Sequence, residues 1–222
     1  MKKLLCILFA LTLMLSSCIE IIDDLSMNLD GSGTFKYTVN LSASKVKVNS
    51  ILALDSFNGK KVPKIDEIES KINQFRELLK NEKGIKSVQT EFNKIDFIAK
   101  ISVDFSSLDE LQTGIKSVLT QLDPSIKYTE DYTAWIAWDH KSLQRMIPKL
   151  VEERIKTETQ SDQELLTTGS YTCISRLPKT IQNSSNPACK LNPSKTAAML
   201  RINTWDLKLN PSLLEHTLTL SP

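Results

Sequence analysis

Seven apolar residues, all odd-numbered, stand on either side of Asp30-Gly31-Ser32-Gly33, and nothing else in the chain restricts its fold as strongly. Leu25, Met27 and Leu29 alternate with polar residues before the turn, and Phe35, Tyr37, Val39 and Leu41 alternate after it. Period-two alternation interrupted by Asp, Gly and Ser reads as a half-buried β-hairpin. Putting all seven on one face requires an odd loop, and the simplest one sets Leu29 opposite Phe35 and Met27 opposite Tyr37, with Gly33 at positive φ. The turn also spaces Asn28, Asp30 and Ser32 as oxygen ligands of calcium would be spaced. An EF-hand loop, however, needs an acid first and a glutamate at its twelfth position, where this chain has Asn28 and Val39. Calcium is excluded there, and no metal or other cofactor is expected.

The same periodicities organise the rest. Ile65, Ile68, Ile72, Phe75 and Leu79 step by three and four, which predicts a helix, with Asp66 and Glu69 as its capping box and Gly84 past its end. Val88 and Phe92 are even-numbered while Ile95, Phe97, Ile101, Val103 and Phe105 are odd. A second hairpin with a two-residue loop at Asn93-Lys94 brings both sets to one face. Ser107 and Glu110 cap a second helix through Leu108, Leu111, Ile115, Val118 and Leu122, which Asp123-Pro124 ends. Residues 125–139 look extended. Leu143, Ile147, Leu150 and Val151 predict a third helix around or after Pro148, and residues 157–169 are polar and aperiodic, a connecting stretch. Strands are expected near 170–177, 196–203 and 213–220, punctuated by Asn-Pro pairs. The pattern is α+β: largely antiparallel hairpins packed against two main amphipathic helices, with a β-rich C-terminal third.

The first residues obey a different logic. Met1-Lys2-Lys3, an apolar run from Leu4 to Leu15 and then Ser16-Ser17-Cys18 have the three parts of a secretory signal peptide. The run is shorter than the ~20 apolar residues a membrane span needs. Leu15-Ser16-Ser17-Cys18 resembles the lipobox of bacterial lipoproteins. That resemblance implies removal of residues 1–17 and a mature chain, 18–222, that starts at a lipidated Cys18, rather than an ordinary signal peptide with a spare thiol. It implies a lipid-anchored, palmitate-bearing protein of the bacterial envelope. Ile19 rather than Asp after the cysteine favours the outer membrane, with periplasmic or surface exposure open.

Of the 222 residues, 205 remain once the first 17 are removed, and losing Lys2 and Lys3 leaves 26 basic against 26 acidic residues. Net charge near zero argues against nucleic acid as a partner. Cys6 leaves with the signal and Cys18 carries lipid, so Cys173 and Cys189 are the pair left, and in an exported chain a leftover pair is expected to form a disulfide.

An acylated cysteine, a hairpin turning at Asp30-Gly31-Ser32-Gly33, a long helix, a second hairpin and a late strand ending Ser175-Arg176-Leu177-Pro178 together resemble the LppM-like (DUF3153-type) bacterial lipoproteins. That resemblance implies an α+β domain with a lipid-binding or envelope role, and it transfers no catalytic residues. Among the residues themselves no His-Glu-x-x-His, Gly-x-Ser-x-Gly or phosphate-cradling loop occurs. Asp139-His140 and His216 are the nearest approach to catalytic groups. Tyr132, Trp135 and Trp138 form a candidate binding platform, with Trp135 and Trp138 on opposite faces if the strand is regular. Three readings compete: a non-catalytic module that binds a lipid or envelope component, an interaction or structural module, and, third, a hydrolase. A tapered apolar cavity between sheet and helices favours the first, an exposed apolar patch without a cavity the second, and a histidine converging with acids in a cleft the third.

Overall fold

The computed structural model describes residues 19–57, 59–123, 135–147 and 166–222. Alternation sets the first hairpin, β1 (Glu20–Met27) and β2 (Gly33–Asn40), and the odd-numbered residues share the inward face. The register differs from the expected one: Leu25 pairs with Phe35, and Met27 with Gly33 rather than Tyr37. The Asn28–Ser32 turn explains why. Asn28 N–H donates to the Ser32 carbonyl at 2.8 Å, and Ser32 donates through N–H and hydroxyl to Asp30 Oδ1 at 3.0 and 2.7 Å. Gly31 takes the positive φ of +84°, not Gly33. Gly33 lies in β2, and glycine is required there because a Cβ would overlap the Ser26 carbonyl and the Phe105 ring.

After a 3-10 turn comes α1 (Lys45–Leu52), then a short ribbon of β3 (Ser56–Phe57) and β4 (Lys60–Lys61), and α2 (Ile65–Leu79). Helix α2 is capped two residues before the expected capping box: Lys64 is its N-cap and Glu67 Oε2 accepts from Lys64 N–H at 3.1 Å. Asp66 and Glu69 instead hold Lys94 at 3.1 and 2.7 Å. The second hairpin, β5 (Ile85–Asn93) and β6 (Ile98–Phe105), keeps Val88, Phe92, Ile101, Val103 and Phe105 on the expected face but pairs Phe92 with Ala99 and leaves Ile95 exposed in its loop. Asn93 Oδ1 accepts the N–H groups of Ile95 and Asp96, and Phe97 turns the chain at φ +53°, so the loop is 94–97. Helix α3 (Leu108–Leu122) is capped as expected, Ser107 Oγ accepting from Glu110 N–H at 3.3 Å. Gly114 is buried where a Cβ would press on Leu79 and Glu82, so the α2 end and α3 pack closely.

Leu143 is not helical. It lies in β8 (Ser142–Arg145), beside β7 (Ile136–Trp138), because Leu143 and Arg145 both point inward at period two while Gln144 is exposed. The expected helix beyond Pro148 and most of the 157–169 connection fall outside the described residues. The C-terminal third adds β9 (Ser170–Arg176), β10 (Ile181–Ser184), β11 (Lys190–Leu191), β12 (Ala197–Asn203), α4 (Thr204–Leu209) and β13 (His216–Leu220). Three of its strands match the expected ones.

The architecture is α+β. A seven-stranded sheet runs β11-β12-β9-β1-β2-β6-β5, antiparallel except where β1 lies parallel to β9. A second, four-stranded sheet runs β10-β13-β8-β7. Leu25, Phe105 and Val103 of the large sheet, Leu79 and Leu111 of the helices, and Leu143 and Leu218 of the small sheet join one buried apolar cluster. Fully burying each such side chain stabilises the fold by about 1.5–3 kcal/mol.

Candidate functional site

The inward face of the large sheet is not packed along its whole length. Leu25, Met27 and Phe105 close one end. Toward the start of β1 the helices and sheet part around a cavity of about 710 Å³. Its floor is Ile21, Tyr37 and Ile101, its walls include Phe75 of α2 and Ile115 and Leu119 of α3, and Leu207 of α4 and Trp135 border it elsewhere. A cavity of this size and predominantly apolar lining, with a few converging polar groups, is what a small apolar ligand requires.

The polar groups centre on Asp23. It occupies an inward position between Ile21 and Leu25, so the strand buries a carboxylate where the alternation calls for an apolar residue. Arg145 of β8 reaches it from the other sheet as a two-pronged pair, Nη1 to Oδ2 at 2.9 Å and Nη2 to Oδ1 at 3.1 Å. Tyr171 of β9 donates its hydroxyl to Asp23 Oδ2 at 3.1 Å. Burial works to lower the Arg145 pKa, but the adjoining Asp23 carboxylate outweighs it and holds the guanidinium above its ordinary value. Burial pushes Tyr37 up to about 12, with the Asp23 charge adding to it, and Tyr171 rises for the same two reasons. Both phenols are therefore neutral donors at physiological pH. Arg145 Nε is buried with no hydrogen-bond partner among the described residues.

The residues singled out in the sequence fare unevenly. Cys18 and Tyr132 lie outside the described residues. Trp135 lines the cavity, and Trp138 packs against the apolar cluster with its ring edge-on to His140. His140 sits exposed in a turn at φ +65°, while Asp139 accepts the Lys141 and Ser142 N–H groups of that turn. His216 is buried with Nδ1 against the Leu214 carbonyl at 2.8 Å, and burial lowers its pKa. Neither histidine lines the cavity. Among the described residues no group of three or more His, Cys, Asp or Glu is placed to hold a metal, and no helix is long and apolar enough to cross a membrane.

The expected disulfide is absent, and both thiols are free. Cys173 of β9 pairs with Leu200 of β12, and Lys190 of β11 pairs with Met199, so Cys189 falls opposite Leu200 on the far side of β12. The two cysteines stand two strand spacings apart, about 10 Å. A disulfide tolerates roughly 7 Å between Cα atoms. Burial pushes the Cys173 thiol up to about 12. A chain from Ile19 to Pro222 is therefore expected to titrate with two thiols, Cys189 reacting first with a disulfide reagent at pH 8 and Cys173 only in denaturant. An intact mass lacking two hydrogens, with neither thiol reactive in denaturant, would contradict this arrangement.

Asp23, Arg145 and Tyr171 were not evident from sequence, although one signal existed: an aspartate in phase with Ile21, Leu25 and Met27 needs a buried partner.

No protein-family model matches this sequence, and no curated protein does. Among solved structures the chain is similar to the NMR structure of the folded domain of Mycobacterium tuberculosis LppM, at 6% identity and a TM-score of 0.41, over 93% of each chain. What the cavity can do follows from its own residues.

Proposed function

We propose that this chain is a non-catalytic, membrane-anchored envelope lipoprotein, held by lipid on Cys18, whose domain binds a single-chain, lipid-like ligand between sheet and helices. The observation that carries the reading is the cavity of about 710 Å³ bordered by Phe75, Ile101, Ile115 and Leu119. Its volume is in the range of drug-sized ligands, roughly 300–1,000 Å³, which suits one acyl chain better than a two-chain phospholipid. Asp23, Arg145 and the two tyrosines give such a ligand's polar end both donors and acceptors to meet.

Native mass spectrometry with solvent extraction tests this on the chain from Ile19 to Pro222, which has no acyl chains of its own. The expected result is a co-purifying or titratable lipid at one per chain. A clean unliganded mass, with no uptake when fatty acids and lysolipids are added, would count against lipid binding and favour an interaction module.

A further inference from the structure

One end of the large sheet gathers features that the cavity does not use. Glu20 at the start of β1 pairs with Asn40 at the end of β2, Asn40 with Ile98, and Ile98 with Asn93, so the four stand in one row across the sheet. Whatever continues past that row projects from the same end. On this side lie Ile19, helix α1 and the 94–97 turn, whereas the Asn28–Ser32 turn lies at the other end.

Helix α1 carries Val46, Val48, Ile51 and Leu52, yet it has no buried residue. Val46 is 82% exposed, and Ile95, at the tip of the neighbouring turn, is 71% exposed. The two are parts of one unit: Lys45 Nζ meets Asp96 Oδ1 at 3.2 Å, and Leu41 N–H donates to the Phe97 carbonyl at 3.1 Å. Val48, Ile51 and Leu52 are half-buried, but Val46 and the neighbouring Ile95 stand in solvent, and two adjacent exposed apolar side chains make a surface open to an apolar partner.

The chain itself says what that partner is. Ile19 is held at this end by its carbonyl, which accepts Ser170 N–H at 2.8 Å. Cys18 is the next residue, about 3.8 Å away between Cα atoms. Ile98, where the 94–97 turn rejoins the sheet, is two strand spacings from Glu20, about 10 Å. A lipid on Cys18 thus draws the bilayer to the end of the sheet that bears Val46 and Ile95. The nearby lysines are largely answered within the protein, Lys45 by Asp96 and Lys94 by Asp66 and Glu69. The contact is accordingly apolar rather than electrostatic.

We propose that α1 and the 94–97 turn form a membrane-contact surface, with Val46 and Ile95 entering the headgroup–acyl boundary of the bilayer in which Cys18 is anchored. The inference rests on the lipidation of Cys18. It sets the unpacked half of the inward face, with Ile21 and Tyr171 of the cavity, next to the membrane. A single-chain lipid then reaches its site directly from the bilayer.

The test uses the full acylated chain, reconstituted in vesicles of phosphatidylethanolamine and phosphatidylglycerol with and without brominated acyl chains. Flotation and intact mass report the anchor, and tryptophan quenching reports the orientation. Ile95→Trp is expected to add emission that brominated lipid quenches by more than half, unchanged in high salt. Leu29→Trp, at the opposite end and 61% exposed, is expected to add emission that stays unquenched. A chain that floats with both added tryptophans quenched alike, or neither, overturns the orientation while leaving the anchor standing. If the full chain purified from membranes of a lipidating bacterial host shows no acyl groups by intact mass and does not float, the anchor is overturned, and the inference with it.

Discussion

Asp23→Ala is expected to destabilise the domain by about 3–5 kcal/mol, the cost of breaking a buried ion pair by removing one partner. Against a total stability of about 5–15 kcal/mol, that is a third or more of the margin of a typical domain and leaves a large unfolded fraction at the low end of the range. Asp23 is 5% exposed and Arg145 6%, so the guanidinium freed by the substitution is left largely desolvated and without its counter-charge. Nor can it shed its charge, since an arginine side chain stays protonated in proteins even where burial disfavours the charge. The hydroxyl of Tyr171 loses its acceptor in the same step. Urea unfolding followed by circular dichroism reads the loss as a drop in midpoint at unchanged slope. The informative companion is Asp23→Leu combined with Arg145→Met. Replacing a buried pair by apolar side chains of similar size is often neutral or stabilising. The double variant should therefore recover most of the lost midpoint, while lacking the polar end of the cavity. A single variant as stable as the parent would mean that Arg145 is not held by Asp23 in solution.

That pair also marks where the sequence stops speaking. Alternation assigns Leu25, Phe35, Val103 and Phe105 to the inward face, and they are there, because parity survives any even shift between strands. Register does not follow from parity. Met27 faces Gly33 and Phe92 faces Ala99 because the Asn28–Ser32 and Asn93–Phe97 turns are closed by side-chain bonds to backbone, which fix longer loops than the apolar pattern requires. Local caps were legible where the capping serine was present, as at Ser107, and misplaced where a lysine occupies the N-cap, as at Lys64. Leu143 and Ile147 are spaced as on a helix, and the strand was hidden because its second inward residue is a charged one, Arg145. The parallel pairing of β1 with β9, Asp23 beside Cys173, joins segments 150 residues apart, and no local pattern announces it. The cavity was invisible for a related reason: it is the space left between elements, and it depends on where they stop touching.

Ile115→Trp is expected to weaken binding of a single-chain fatty acid roughly 50-fold while leaving the fold intact. Ile115 lies on the α3 face that borders the cavity, beside Leu119 and across from Ile101 and Tyr37. An indole there extends into space that the protein leaves open. The overpacking cost of about 1–3 kcal/mol in a filled core is accordingly avoided. The ligand bears the loss instead. If the ring displaces about three methylenes at ~0.8 kcal/mol each, the cost is about 2.4 kcal/mol. At 1.4 kcal/mol per decade that is a change of roughly 50-fold in Kd. Fluorescence titration with parinaric acid, whose emission rises on leaving water, measures the change directly. Leu209→Trp is the control, because Leu209 is exposed and outside the cavity lining, and it should leave the titration where it was. Equal affinities for the parent and Ile115→Trp would place the fatty acid elsewhere on the protein. A parent that binds no parinaric acid would remove the lipid reading altogether. The substitution thus separates a cavity that holds a ligand from one that is only a gap between helices and sheet, since a gap that binds nothing would show Ile115→Trp as neutral or slightly stabilising and nothing more.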